Sequence, residues 1–182
     1  IVHGTNITVL NAARKIDEKA IDCSGKIFVT AGLGGMSGAQ PKAAVIAKGV
    51  CVVAEVNAAA TNKRHAQGWV DEVYHNLDEL IRRMEIARKN KEAVSIAYQG
   101  NVVDLWEKLA EENISIEIGS DQTSLHNPFA GGYYPVGLSF EESEKMIAEQ
   151  PDLFKEKVYA SLRRQVAAIN KLTAQGMYFF DY

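Results

Sequence analysis

Two apolar runs, "IFVTA" at 27–31 and "VCVVAEV" at 50–56, stand out because polar residues do not alternate through them. Continuous β-branched runs of this length belong to strands covered on both faces, as in a parallel sheet. Between them lies "GAQPKAAVIAKG". Pro41 is tolerated only in a first helical turn, where its missing N–H costs nothing, and Gly49 is a natural stop. The predicted order is strand, glycine turn, helix, strand, joined as a right-handed βαβ unit.

The pattern continues past Asp78, where Leu80, Ile81, Met84 and Ala87 share one helical face and Arg82, Arg83, Arg88 and Lys89 lie elsewhere. A buried strand, "AVSIAY" at 93–98, leads through Gln99-Gly100-Asn101 into a helix with Asn101 at its N-cap and a stripe of Val102, Leu105, Trp106 and Leu109. "ISIEI" at 114–118 alternates and is expected as a strand nearer a sheet edge. Next comes "SDQTSLHNPFAGGYYPVG", loop chemistry that nevertheless carries Phe129, Tyr133 and Tyr134. Ser139 and Glu142 form a capping box for a helix, and Pro151 separates it from a longer one at 152–175. Phe154, Val158, Leu162, Val166, Ile169 and Leu172 are the expected stripe of that last helix, and Gly176 its end. The terminal "MYFFDY" reads as a strand just begun. Strands alternating with helices predict an α/β fold: a Rossmann-like, doubly wound, mostly parallel sheet with C-terminal helices. The whole chain, 1–182, is expected as one domain, with a dinucleotide-binding core at 26–120, a loop at 121–138 and helices at 139–175.

Composition narrows the function. With 182 residues, 47% hydrophobic and 24% charged, the chain can bury one core. A net charge of −3 without a dense basic stretch argues against nucleic acid as a partner. Lys48 and Gly49 interrupt the longest apolar run, so no membrane span is expected. Cys23 and Cys51 are the only cysteines, too few for a disulfide scaffold or a four-cysteine zinc site, and a reducing, cytoplasmic setting follows. A first residue Ile1 and the unfinished apolar end suggest a piece excised from a longer protein.

The glycines of "GLGGMSG" are the candidate chemistry. Gly32, Gly34 and Gly38 have a G-x-G-x-x-x-G spacing, one residue longer than the usual dinucleotide fingerprint. A first glycine permits the tight turn, a second lets backbone approach a pyrophosphate, and a third lets helix and sheet pack closely. The helix that follows offers its free N–H groups to an anion. Glycine-rich turns also serve packing alone, so both readings stand. Glu55, at the end of the next strand and about 20 residues on, suits the hydroxyls of an adenosine ribose and favours NAD over NADP. It also suits a solvated acid at a strand end. Asp121, Ser124 and His126 lie too close together on one loop for a nucleophile triad, and a polar-contact role fits them better. His3, His65 and His75 have no partners at metal-ligand spacing, and no metal site is expected. No catalytic group declares itself.

Taken together, "TAGLGGMSGAQPKAA", the "AEV…KRHAQGWVDE" segment at 54–72, "QGN" and "SDQTSLHNPFAGGYYPVG" resemble the urocanate hydratase (urocanase) family over nearly the whole chain. The resemblance implies the central NAD-binding domain of an enzyme of histidine degradation, in which NAD⁺ serves as an electrophile while water adds to urocanate to give 4-imidazolone-5-propanoate. It implies a cytoplasmic homodimer when full length, and no hydratase activity in these residues alone, because the family's cysteine motif is absent. Carried over by position, Gly35, Met36 and Ser37 join Gly32, Gly34 and Gly38 on the pyrophosphate turn, and Glu55 takes the ribose. Asn101 and Val102 lie near the cofactor. Gln122, Thr123, Ser124, Leu125 and His126, with Tyr133 and Tyr134, wrap the remainder. Many relatives have Gly at the place of Ser37 and some have Arg at the place of Ala60, which leaves Lys63 or Arg64 to supply the missing contact. An NAD-dependent oxidoreductase domain and a non-catalytic dinucleotide-binding module remain the alternatives.

Overall fold

The computed structural model describes residues 1–121 and 127–181. The chain runs α1 (Val2–Ile16), β1 (Ile27–Ala31), α2 (Ala39–Ile46), β2 (Val50–Glu55), α3 (Ala58–Ala66), β3 (Glu72–Tyr74) and α4 (Leu77–Asn90). It continues through β4 (Val94–Gln99), α5 (Val102–Glu111), β5 (Ile118–Asp121), α6 (Phe140–Glu149), α7 (Pro151–Ala174) and β6 (Tyr178–Asp181). The strands form a single six-stranded sheet in the order β3-β4-β2-β1-β5-β6. Every pairing is parallel, so the expected doubly wound sheet is present and wholly parallel.

The unbroken apolar runs of β1 and β2 feed two cores because successive side chains leave a strand on opposite faces. Ile27, Val29, Val50 and Val52 pack with Leu80 and Met84 of α4, Trp106 of α5 and Leu172 of α7. Phe28, Cys51 and Val53 pack on the other side with Val9 and Ala13 of α1 and Ala44 of α2. Helices on both faces leave the carboxyl ends of the strands as the open rim.

The sheet changes direction at β1. From β1 the chain moves to β2, out to the edge strand β3 and back to β4 between them, then crosses through α5 to β5 on the other side. β1 and β5 pair at only Phe28↔Ile118 and Val29↔Gly119. Beyond that register the side chains of Thr30 and Ser120 meet each other at 2.9 Å and both meet Gln40 Oε1, at 2.9 and 3.0 Å. A fully buried polar wedge from α2 thus sits where the strands part.

Several boundaries differ from the sequence reading. α2 holds Pro41 in its first turn as expected, but the residue in left-handed conformation after it is Lys48 (φ 63) rather than Gly49. Gly49 instead eases close packing: a Cβ there would lie 3.0 Å from Cys23 Cβ. β5 starts at Ile118, where the expected strand ends, and it is interior because β6 pairs along its outer side. The alternation at 114–118 instead buries Ile116 and turns Glu117 toward the Ile27 N–H, at 2.8 Å. Neither α3 nor β3 is among the elements read from the sequence. "AAATNKRHA" has no apolar period, and β3 is three residues long. In α7 the anticipated stripe is partly wrong: Val166 is 53% exposed, while Ser161 and Gln165 are buried.

Candidate functional site

The glycine turn leaves β1 at Gly32, whose φ of 89° forbids most side chains and whose absent Cβ would otherwise press on Ser37 Oγ at 2.8 Å. Its N–H donates to the Ala54 carbonyl on β2 at 2.8 Å. The next two N–H groups are taken by acceptors from outside the turn's backbone: Leu33 donates to Glu55 Oε2 at 2.7 Å and Gly34 to Ser37 Oγ at 3.0 Å. From below, Arg64 on α3 donates through Nε to the Leu33 carbonyl at 3.1 Å and through Nη2 to the Gly34 carbonyl at 2.5 Å. A Cβ at Gly38 would run into that guanidinium. Gly38 therefore makes room for Arg64, beside any role in helix packing.

Above the turn lies a cleft of about 410 Å³ at the carboxyl ends of β1, β2 and β4. Gly32, Gly34, Met36, Ser37, Glu55, Asn101, Val102, Tyr133 and Tyr134 all line it, drawn from four separate segments of chain. Gly35 and Gly38 belong to the turn without lining the cleft. Residues 122–126, with five of the expected contacts, lie outside the described residues.

Each wall has a local cause. Glu55 closes β2 and its second oxygen accepts the Asn57 N–H at 2.8 Å, so the carboxylate is fixed between two backbone donors. Asn57 in turn caps α3. Asn101 caps α5 by accepting the Val103 N–H at 2.9 Å, as read from sequence, and its amide donates to the Tyr134 carbonyl at 2.8 Å. That second bond fastens the loop to the sheet. Tyr133 donates to Asp121 Oδ2 at 2.9 Å, and Tyr134 donates to Glu144 at 2.7 Å while packing on Phe140 with ring centroids 5.4 Å apart. Burial, and then the Glu144 carboxylate, push the Tyr134 phenol well above its ordinary range, so it is a neutral donor.

A model of the urocanase Rossmann-like domain matches residues 1–182. The chain belongs to that family. This urocanase domain is 58% identical to a probable urocanate hydratase of Caenorhabditis elegans over 183 aligned positions, 100% of the chain and 27% of the relative. It is 60% identical to the probable urocanate hydratase of Dictyostelium discoideum, again covering 100% of the chain and 27% of the relative. The urocanate hydratase of Homo sapiens is 56% identical, with 100% of the chain and 28% of the relative covered. The urocanase domain thus spans somewhat over a quarter of the length of these relatives.

Two features of the urocanase site escape sequence reasoning. Ser161, Leu162 and Gln165 of α7 form a wall of the cleft; the signal was two polar residues four apart within an apolar stripe. Arg64 is the other. It does not line the cleft; Gln67 Oε1 takes its Nη1 at 3.0 Å and Trp69 covers it with the ring centroid 4.8 Å away. Cys23 and Cys51 are buried away from the cleft, and burial raises both thiols, Cys23 to about 11. Among the described residues no three His, Cys, Asp or Glu side chains are grouped to hold a metal, and no helix is long and apolar enough to cross a membrane.

Proposed function

We propose that this chain is the NAD-binding part of a urocanate hydratase, which adds water to urocanate to give 4-imidazolone-5-propanoate in histidine degradation. The observation that carries the reading is the glycine turn. The N–H groups of Gly35, Met36 and Ser37 have no acceptor among the described residues, and the space a Cβ would fill at Gly35 is open. Three successive donors in the turn that leads into α2, two of them on the cleft-lining Met36 and Ser37, suit a pyrophosphate. Glu55 is held by two N–H donors yet retains lone pairs for ribose hydroxyls. A cleft of about 410 Å³ falls within the range of small-molecule and cofactor sites. On these grounds the residues fit NAD.

When bound, NAD⁺ supplies an electrophilic nicotinamide ring, an electron sink rather than a hydride carrier. The chain's own residues bind and enclose. The turn donates to phosphate, Glu55 accepts from ribose and excludes a 2′-phosphate by charge, and Asn101 holds the tyrosine loop over the cleft. Tyr133 and Tyr134 complete the described wall of the cleft and keep bulk water out. No acid or base for water addition is assigned here; those groups belong to the remainder of the full-length enzyme, read as a cytoplasmic homodimer.

The test is to incubate the full-length protein with urocanate and follow the substrate and NADH absorbance bands together. Loss of the urocanate band with a silent NADH band is the expected result, and the 182-residue chain alone should show no turnover. Growth of the NADH band marks an oxidoreductase. Unchanged urocanate reduces the reading to a dinucleotide-binding module.

A further inference from the structure

We infer that Arg64 is a positioning residue, which aims the anion-binding N–H groups of the glycine turn without touching the ligand. The inference rests on the dinucleotide reading above. Its basis is peptide geometry. In a trans peptide the carbonyl and the following N–H point in opposite directions. Arg64 Nε holds the Leu33 carbonyl at 3.1 Å, so the Gly34 N–H faces the other way, where it meets Ser37 Oγ at 3.0 Å. Arg64 Nη2 holds the Gly34 carbonyl at 2.5 Å, and the Gly35 N–H is thereby turned away from the guanidinium. That is the first of the three N–H groups left without an acceptor among the described residues.

A glycine-rich turn needs such a clamp. Gly34 and Gly35 each have wide backbone freedom, and the backbone bond on the peptide between them, from the Gly38 N–H to the Gly34 carbonyl at 3.2 Å, is long. Without the Arg64 tie that peptide can rotate and present its carbonyl, which repels phosphate. The tie is specific to arginine. Its planar fork reaches two successive carbonyls at once while its third nitrogen bonds Gln67 Oε1 at 3.0 Å. Trp69 stacks over the group at 4.8 Å, and the residue is 9% exposed. Each of the three nitrogens bonds the protein, and Arg64 does not line the cleft, so the cation contributes through the turn. Gly38 belongs to the same device, since a methyl there would occupy the place of the guanidinium.

The experiment compares wild-type, Arg64→Met and Gly38→Ala forms of the nucleotide-free full-length protein. Titration calorimetry with ADP and adenosine reads affinity, and hydrogen–deuterium exchange mass spectrometry of peptides covering residues 32–40 reads the turn. Gly38→Ala preserves the charge and an allowed backbone conformation (φ −58), and so keeps the test valid where Arg64→Met folds poorly. The expected result is an ADP affinity lower by about tenfold or more, adenosine changed by less than about twofold, and faster exchange in both variants. Equal loss of ADP and adenosine overturns the inference in favour of a general structural role. Adenosine weakened more than ADP overturns it in favour of direct contact on the adenosine side. If wild-type protein binds no ADP, the dinucleotide reading fails on its own, and the exchange data still decide: faster exchange supports the clamp, unchanged exchange refutes it.

Discussion

At the scale of single residues, Glu55 does two jobs with one carboxylate. Its position at the end of β2, about 20 residues past the glycines, made it legible as a cleft residue and a candidate ribose acceptor. Its hold on the Leu33 and Asn57 N–H groups, 2.7 and 2.8 Å away, was not, because nothing in a one-dimensional spacing says which backbone donors are left over. The double duty sharpens a prediction. Glu55→Gln keeps the shape but places an amide NH₂ against one of two N–H donors, so NAD affinity should fall by about 1–3 kcal/mol in titration calorimetry. Unchanged affinity would remove Glu55 from the site. Arg64 illustrates the same limit from the other side: a basic residue in a polar helix looks solvated until the fold brings carbonyls to it.

At the scale of elements, the strongest periodicities located the helices and strands well, and the weakest ones misled. Continuous runs identified β1, β2 and β4, and the Ser139–Glu142 capping box is present at the start of α6. "ISIEI" alternates, yet β5 begins only at its last residue, because the pairing partner β6 arrives from 60 residues later. β5 is built for close approach. A Cβ on Gly119 would lie 2.9 Å from Met177 Sδ and 3.0 Å from the rings of Phe179 and Trp106. Gly119→Ala should therefore destabilise by about 1–3 kcal/mol through overpacking, read as a lower denaturant midpoint at unchanged slope. An unaltered midpoint would mean that β6 and α5 yield without cost.

At the scale of the whole molecule, the cleft is a meeting of distant segments: the turn after β1, the end of β2, the start of α5, the tyrosine loop and the inner face of α7. Asn101 connects two of them. Asn101→Asp retains the cap on α5 but replaces the donor facing the Tyr134 carbonyl with a repelling carboxylate. The expected outcome is global stability within about 1 kcal/mol of wild type, together with faster limited proteolysis in the loop. Asn101→Ala removes cap and tether alike and should lower both global stability and the loop's resistance to proteolysis. Equal proteolysis rates for Asn101→Asp and wild type would show that the loop is held by its other contacts, such as the bond of the Val136 N–H to Ser161 at 2.9 Å.

The sequence by itself determined the parallel α/β class, the place of the glycine turn, the caps at Asn101 and Ser139 and, through long motifs, the family. These depend on local sterics and on the apolar period of single elements, which neighbouring residues fully specify. Only the tertiary structure decided that β5 is interior, that α7 turns Ser161 and Gln165 toward the cleft, and that Arg64 and Glu55 clamp the turn from below and beside. Those facts depend on which unsatisfied donors, acceptors and empty volumes face one another after the sheet has closed, and residues tens of positions apart settle them together.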